Sequence, residues 1–342
     1  MGLFKRAAAA PDIVFDAHPA QDDDALRKAH DDLVAGGDWA VARDLLATTA
    51  GDEDRRARYV WVLSEATVNG APAAPGPVED ATWVDAWARA EPGNPDALLV
   101  RGRSLISRAW EVRGGGWAST VGADAVSEFH RLLVLAVPLY DRAAHLAEAD
   151  PLPWVHRLIL ATALNAPRDQ LERCWSEVVM REPGHVEAHN FKLMYLCHKW
   201  HGSHEEMFAF AREAAATAPD GSPLKVLPLK ATAEWDMWMM RRELTLKQSV
   251  AQTGHWRRDP GLHAELDAAL HRWFARPARR HGCWYDDLNQ LAYALWRADR
   301  HADNKAVIAA IGPYMSDLPW GWSSEKTGAH AFLKARKAAL KA

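Results

Sequence analysis

Histidine is the residue type whose spacing first suggests chemistry in this chain. His185 and His189 stand four apart, one helical turn, and His198, His201 and His204 follow with Cys197 beside them. Two imidazoles at i and i+4 on one face suit a metal ion. The order here is H-V-E-A-H, so Glu187 does not fall where a zincin needs its general base. On a helix Glu187, Asn190, Met194 and His198 share one stripe, whereas His189, Leu193, Leu196 and Trp200 share another. The histidines therefore do not converge, and helix-end and capping roles are expected, with no metal and no cofactor. Paired carboxylates at Asp286-Asp287 lack the third aspartate of a D-D-x-x-D magnesium motif, since Gln290 stands in its place. Acids opening a helix explain them more simply. Asp22-Asp23-Asp24 reads as another helix start.

Further searches for chemistry find nothing. No G-x-x-x-x-G-K-[ST], no G-x-G-x-x-G after a strand and no G-x-S-x-G occurs. The three cysteines, Cys174, Cys197 and Cys283, form no C-x-x-C pair. Reduced thiols and a cytoplasmic location are the expectation. Tryptophan is the unusual component, with 17 residues in 342. In Glu234-Trp235-Asp236-Met237-Trp238-Met239-Met240-Arg241-Arg242, Trp235, Trp238 and Met239 align at three and four, and Arg242 extends that face. Such a stripe packs a core or, partly open, binds a flat apolar ligand whose polar end meets Arg242 or Glu234.

The elements that must position these residues are helices. Ala, Leu, Arg and Glu dominate, apolar residues recur at three and four, and alternating β-branched runs are missing. Trp284, Leu288, Leu291 and Leu295 form one stripe, expected to be buried. Asp286, Gln290, Tyr293 and Arg297 form the presented one. Ser203-His204-Glu205-Glu206 reads as a capping box. The chain is 49% hydrophobic and 25% charged, ordinary for a globular protein, and no apolar run is long enough to span a membrane. A formal net charge of -4 makes nucleic acid an improbable partner. The charge is unevenly spread: Asp12 to Asp85 holds sixteen acids against six bases. Arg257, Arg258, Arg272, Arg276, Arg279 and Arg280 make the densest basic stretch.

Pro-containing breaks recur along the chain. Pro92 to Pro151 is 59 residues, Pro151 to Pro183 is 32 and Pro183 to Pro219 is 36. Two spacings lie near 34, the length of a two-helix repeat, and the first is nearly twice that. Pro92-Gly93-Asn94-Pro95-Asp96-Ala97-Leu98, followed by Gly102 and Leu105, resembles the tetratricopeptide repeat family. Gly36-Gly37-Asp38-Trp39 with Ala42 and Leu45-Leu46 resembles the turn and second helix of another repeat. The family's small eighth residue is matched by Gly102, and Leu193 departs from it. The Ala-, Arg-, Asp- and Trp-rich composition also resembles that of actinobacterial helical-repeat proteins.

The resemblance implies an all-α, TPR-like superhelix of irregular helical hairpins over residues 25–310. An N-terminal segment (1–24) precedes it, and an irregular Trp/Pro segment with a C-terminal helix (311–342) follows. It also implies that first helices line a concave groove, selecting Asp96, Leu99 and Arg103 in one unit and Glu187, Asn190, Met194 and His198 in another. The expected function is a scaffold whose Trp-rich groove holds a peptide or protein partner. The alternative is an enzyme or carrier acting on a hydrophobic small molecule in a closed helical pocket. The binding residues expected on these grounds are Arg103, Glu187, Asn190, Met194, His198, Trp235, Trp238, Arg242, Asp286 and Tyr293. Pro72–Pro77 is expected to be an exposed linker. Gly114-Gly115-Gly116 is a loop beside a groove or a surface excursion.

Overall fold

A computed structural model describes residues 13–68, 82–114, 121–240, 254–323 and 325–342. The Pro72–Pro77 stretch, Gly115, Gly116 and Arg242 lie outside them. Every regular element among the described residues is helical. The helices are α1 (Asp24–Val34), α2 (Ala40–Ala47), α3 (Glu53–Val68), α4 (Trp83–Ala90) and α5 (Pro95–Arg113). Then come α6 (Ala123–Leu146), α7 (Leu152–Ala163), α8 (Arg168–Arg181), α9 (Val186–Leu196) and α10 (His204–Thr217). A 3-10 turn leads into α11 (Leu227–Met240). Next are α12 (Pro260–Asp267), which runs on into a π turn, α13 (Trp284–Arg297), α14 (His301–Ile311) and α15 (Gly328–Lys341).

Local sequence sets the starts of these helices. Asp23 caps α1 by accepting from the Leu26 N–H at 3.0 Å, so the acidic run is a helix start as its composition suggested. Asn94 caps α5, with Pro95 in its first turn. Ser203 caps α10, accepting from Glu206 N–H at 3.1 Å. The Glu206 carboxylate does not close the box but pairs with Arg168 of α8. The long Pro92–Pro151 interval is one extended hairpin, not two repeats: α5 has 19 residues and α6 has 24.

Successive helices pack as neighbours. α5 lies on α6, α7 on α8, α9 on α10 and α13 on α14, while α1, α3 and α5 stand side by side, as do α7 and α9. At Gly102 the first of these pairs comes very close. A Cβ there would sit 2.6 Å from Cζ of Tyr140 on α6, so only a residue without one fits. The core forms two apolar clusters, one reaching from Ala20 to Ala231 and one from Val226 to Ala339, which meet along α11. Indoles fill much of both: Trp87, Trp256, Trp273 and Trp320 are fully buried. Much of the tryptophan content is therefore packing.

The early and late parts of the chain are fastened together. Asp54 of α3 accepts from the N–H of Val186, 132 residues on, at 3.1 Å. Arg279 pairs with Asp52 at 2.9 Å and Asp54 at 3.2 Å, and Arg280 pairs with Asp22 at 2.6 Å. Gly282 lies so close to Asp54 and Arg58 that a Cβ would overlap both. Phe15 meets Phe332 edge-on at 5.6 Å, and Asp16 N–H donates to Pro313 O at 3.0 Å. The acidic first quarter and the basic stretch near residue 280, separate in sequence, are partners in this seam.

Candidate functional site

The first helices carry a row of polar side chains into the interior. Arg103 comes from α5, Glu187 and Asn190 from α9, Lys230 from α11 and Asp286 and Asp287 from α13. Lys230 Nζ donates to Asn190 Oδ1 at 2.8 Å and pairs with Asp287 Oδ1 at 2.5 Å. His281 Nε2 meets the other Asp287 oxygen at 2.8 Å. These contacts hold Asp287 ionised: Lys230 and His281 outweigh its burial and keep its carboxyl below the usual range.

Glu187 and Asp286 are different. Among the described residues neither makes a hydrogen bond or an ion pair, although both lie deep in the molecule. Burial pushes both carboxyls above their ordinary range. Both keep partial exposure, so water reaches their edges. Arg103 lies within electrostatic reach of Glu187, and Arg58 within reach of both carboxylates. Arg103 is only 9% exposed, and its Nε and Nη1 have no partner. Beside it, Tyr140 Oη and both ring nitrogens of His156 are buried without partners. Buried polar groups are nearly always satisfied, so these atoms are where ordered water or another polar group would be accommodated. At the seam lies a cleft of about 360 Å³, where Asp22, Arg55, Arg58, Arg280, His281 and Trp284 line the walls. Arg58 and His281 thus belong to both the cleft and the interior.

The structure divides the sequence-selected residues. Arg103 lies within electrostatic reach of Glu187, Lys230 links Asn190 to Asp287, and Asp286 lies within electrostatic reach of Lys230. Met194 is partly buried against the first core. His198 and Trp238 form an aromatic group with His204, and Trp235 stands apart from it, packed against the first core. His198 is exposed, and its ring meets Trp238 at 4.9 Å and His204 at 5.0 Å. Trp235 meets His255 at 5.3 Å. Tyr293 requires a correction. It was expected on a presented stripe, yet it is 1% exposed, packs edge-on against Trp256, and accepts from Arg297 at 2.8 Å. Helix α13 has several neighbours, α14 above all and also α11, α12 and α15. A helix periodicity argument assumes one wet face, and α13 has too little of it.

The histidines serve local structure. His185 Nδ1 accepts from Ala188 N–H and so caps α9, His189 Nδ1 donates to His185 O at 2.8 Å, and His201 Nε2 donates to Thr162 O at 2.9 Å. Among the described residues, three metal-capable groups gather at His18, His30 and Asp31 instead. There Ala20 N–H donates to His18 Nδ1, which leaves Nε2 protonated and donating to Asp31 at 2.9 Å. Cys283 borders the polar row, but burial and the two neighbouring aspartates push its thiol well up, away from a nucleophilic thiolate.

Lys230, His281, His156 and Tyr140 were missed by the sequence reading. Lys230 alone left a signal, as the single charge in Leu227-Pro228-Leu229-Lys230-Ala231-Thr232-Ala233.

No family model, curated protein or solved structure matches this chain.

The buried imidazoles predict acid sensitivity. Burial holds His189 down to about 4 and His156 well below the usual imidazole range. The unfolded chain takes up these protons near pH 6.5 and the native chain does not, so stability falls as pH drops from there toward 4. His189 contributes on the order of 3 kcal/mol to this loss. The raised carboxyls of Glu187 and Asp286 act the opposite way, relieving the native state as they protonate. Urea denaturation between pH 7 and 5 is expected to give falling stability, with a flatter slope for His189→Gln. An unchanged slope in that variant would assign the sensitivity elsewhere.

Proposed function

We propose that the chain is a binding scaffold, a TPR-like superhelix of irregular hairpins that takes a segment of a peptide or protein partner against its inner face. The observation that carries this reading is the pair of partly exposed carboxylates, Glu187 and Asp286, which make no hydrogen bond among the described residues, with Arg103, whose buried Nε and Nη1 lack acceptors, in electrostatic reach of Glu187. Burial raises both carboxyls, a cost that an ordinary core would avoid, and neighbouring cations, Arg58 among them, offset it only in part. The aromatic pair His198 and Trp238 supplies apolar contact for the rest of such a segment. No helix among the described residues is long and apolar enough to cross a membrane.

A second reading, a carrier or enzyme for a small hydrophobic molecule, draws on one specific observation. The bond from Val186 N–H to Asp54 ties α9 to α3, a cross-link that suits a closed pocket better than an open groove. Tryptophan fluorescence separates the two readings. Under the scaffold reading, a pool of octapeptides changes the emission, and Arg103→Met weakens the response by about tenfold or more. A response to small hydrophobic molecules and to no peptide would overturn the scaffold in favour of the pocket.

A further inference from the structure

Carboxylates are spread over almost every helix of this chain. Of α1 to α15, only α7 and α15 hold none. Helix α7 carries a single arginine and is packed into the first core. Helix α15 carries Lys334, Arg336, Lys337 and Lys341. Its inner side is Ala331, Phe332, Ala335 and Ala339, each 0% exposed in the second core. That side fixes the helix to the protein, and the outer side has no packing duty.

The outer side is not the purely polar face that water favours. Leu333 and Leu340 stand seven apart, two turns, so they fall in one line, and they are 42% and 45% exposed. Lys337 lies between them, four residues after one and three before the other, and is exposed as well. Lys334 and Lys341 run along one flank of this line and Arg336 along the other. Lys334 is paired with Glu325, whereas Lys337 and Lys341 have no anionic partner among the described residues. Helix α14 packs on α15 and extends the same character. It exposes Lys305 and alanines, and its one carboxylate, Asp303, is held by Arg300 at 2.7 Å. Single exposed leucines are ordinary on any protein. Two in line within a cationic surround free of competing acids are the pattern of a helix that lies at a lipid interface.

The chemistry of the face decides among occupants. A nucleic acid matches the lysines but gives the leucines nothing, and a net charge of -4 opposes its approach. A bound peptide helix needs a groove, and the outer side of a single helix is convex. An anionic bilayer matches both parts: its headgroups take the ammonium groups, and its acyl boundary lies just below for the leucines.

We propose that the outer face of α15 docks the protein on an anionic lipid surface, with Lys337 and Lys341 at the headgroups and Leu333 and Leu340 pressed into the layer beneath. This attachment involves one leaflet and no spanning helix. It is independent of the inner-face reading above, since no residue of α15 belongs to the buried polar row.

The test is flotation of the full chain with vesicles of phosphatidylcholine alone and of phosphatidylcholine with about 30% phosphatidylglycerol. At ~0.1 M salt the anionic vesicles are expected to carry at least about tenfold more protein than the neutral ones, and at ~0.5 M salt most of that difference should vanish. Lys337→Glu combined with Lys341→Glu should lower the bound fraction at limiting lipid about fivefold or more, and so should Leu333→Ser combined with Leu340→Ser. All four side chains are exposed, so the fold should survive, which circular dichroism checks. The comparison of the two vesicle types on the unaltered chain stands even where a variant misfolds. Equal flotation with both vesicles, flotation with neither, or unchanged binding by either folded variant would overturn the inference. Poly-L-glutamate bound as tightly as the anionic vesicles would make the face a dock for acidic protein. A dimer of the free chain that the serine variant dissolves would make a second copy the occupant. Either result also sinks the lipid assignment.

Discussion

Replacing Lys230 by methionine is expected to destabilise the protein by about 3–5 kcal/mol, the range for removing one partner of a buried ion pair. The reason lies in what remains behind. Asp287 is 0% exposed, and without the ammonium its carboxylate keeps only the His281 bond at 2.8 Å. Asn190 loses its donor in the same step. Methionine approximates the length and volume of the lost stem, so little of the effect comes from an emptied cavity. The double variant Lys230→Met with Asp287→Asn should recover part of the loss, because a neutral amide is far less costly to bury than a bare carboxylate. Chemical denaturation of the four proteins measures the coupling. A loss below about 1 kcal/mol in the single variant would mean that the pair is solvated and that the interior is not closed.

Gly102→Val is expected to cost about 3 kcal/mol, and here two effects oppose each other. Any residue other than glycine removes backbone entropy from the unfolded chain and favours α5 by up to about 1 kcal/mol. The new side chain, however, enters the space of Tyr140, whose Cζ and Oη lie 2.6 Å and 2.9 Å from the first added carbon. That ring is 0% exposed and cannot swing out to water. Overpacking of this kind costs about 1–3 kcal/mol for small additions, and valine adds two methyl groups beyond the first carbon. Steric conflict therefore outweighs propensity. Gly102→Ala should show a smaller net loss, and Tyr140→Leu should rescue much of the valine defect by opening the contact. Thermal melts that rank the three variants in any other order would place the α5–α6 contact elsewhere.

The same glycine shows what the sequence revealed. Helical class and the helix starts at Asp23, Asn94 and Ser203 were legible, because each depends on residues near one another in the chain, whereas Gly102 stood out only through the repeat resemblance, its contact Tyr140 lying 38 positions on. Tertiary partners were not. The pairing of Lys230 with Asp287 spans 57 positions and leaves no periodic trace. Tyr293 failed for a related reason. Its stripe also holds Asp286, Gln290 and Arg297, and polar neighbours suggested water. In fact Arg297 pairs with Asp236 at 2.8 Å and covers the ring instead. Where charged side chains serve as lids over aromatic groups, hydrophobic patterning misassigns the face.

The fastening of early to late helices has a consequence for how this architecture can change. A helical-hairpin ribbon with free ends tolerates duplication or loss of one hairpin, since every unit touches only its neighbours. Here Asp54 must meet Val186 and Arg279, and Phe15 must meet Phe332. One hairpin more or fewer would throw those meetings out of register, so the hairpin number is fixed. Diversification of this protein must proceed by exchanging side chains and varying loops, never by lengthening the array.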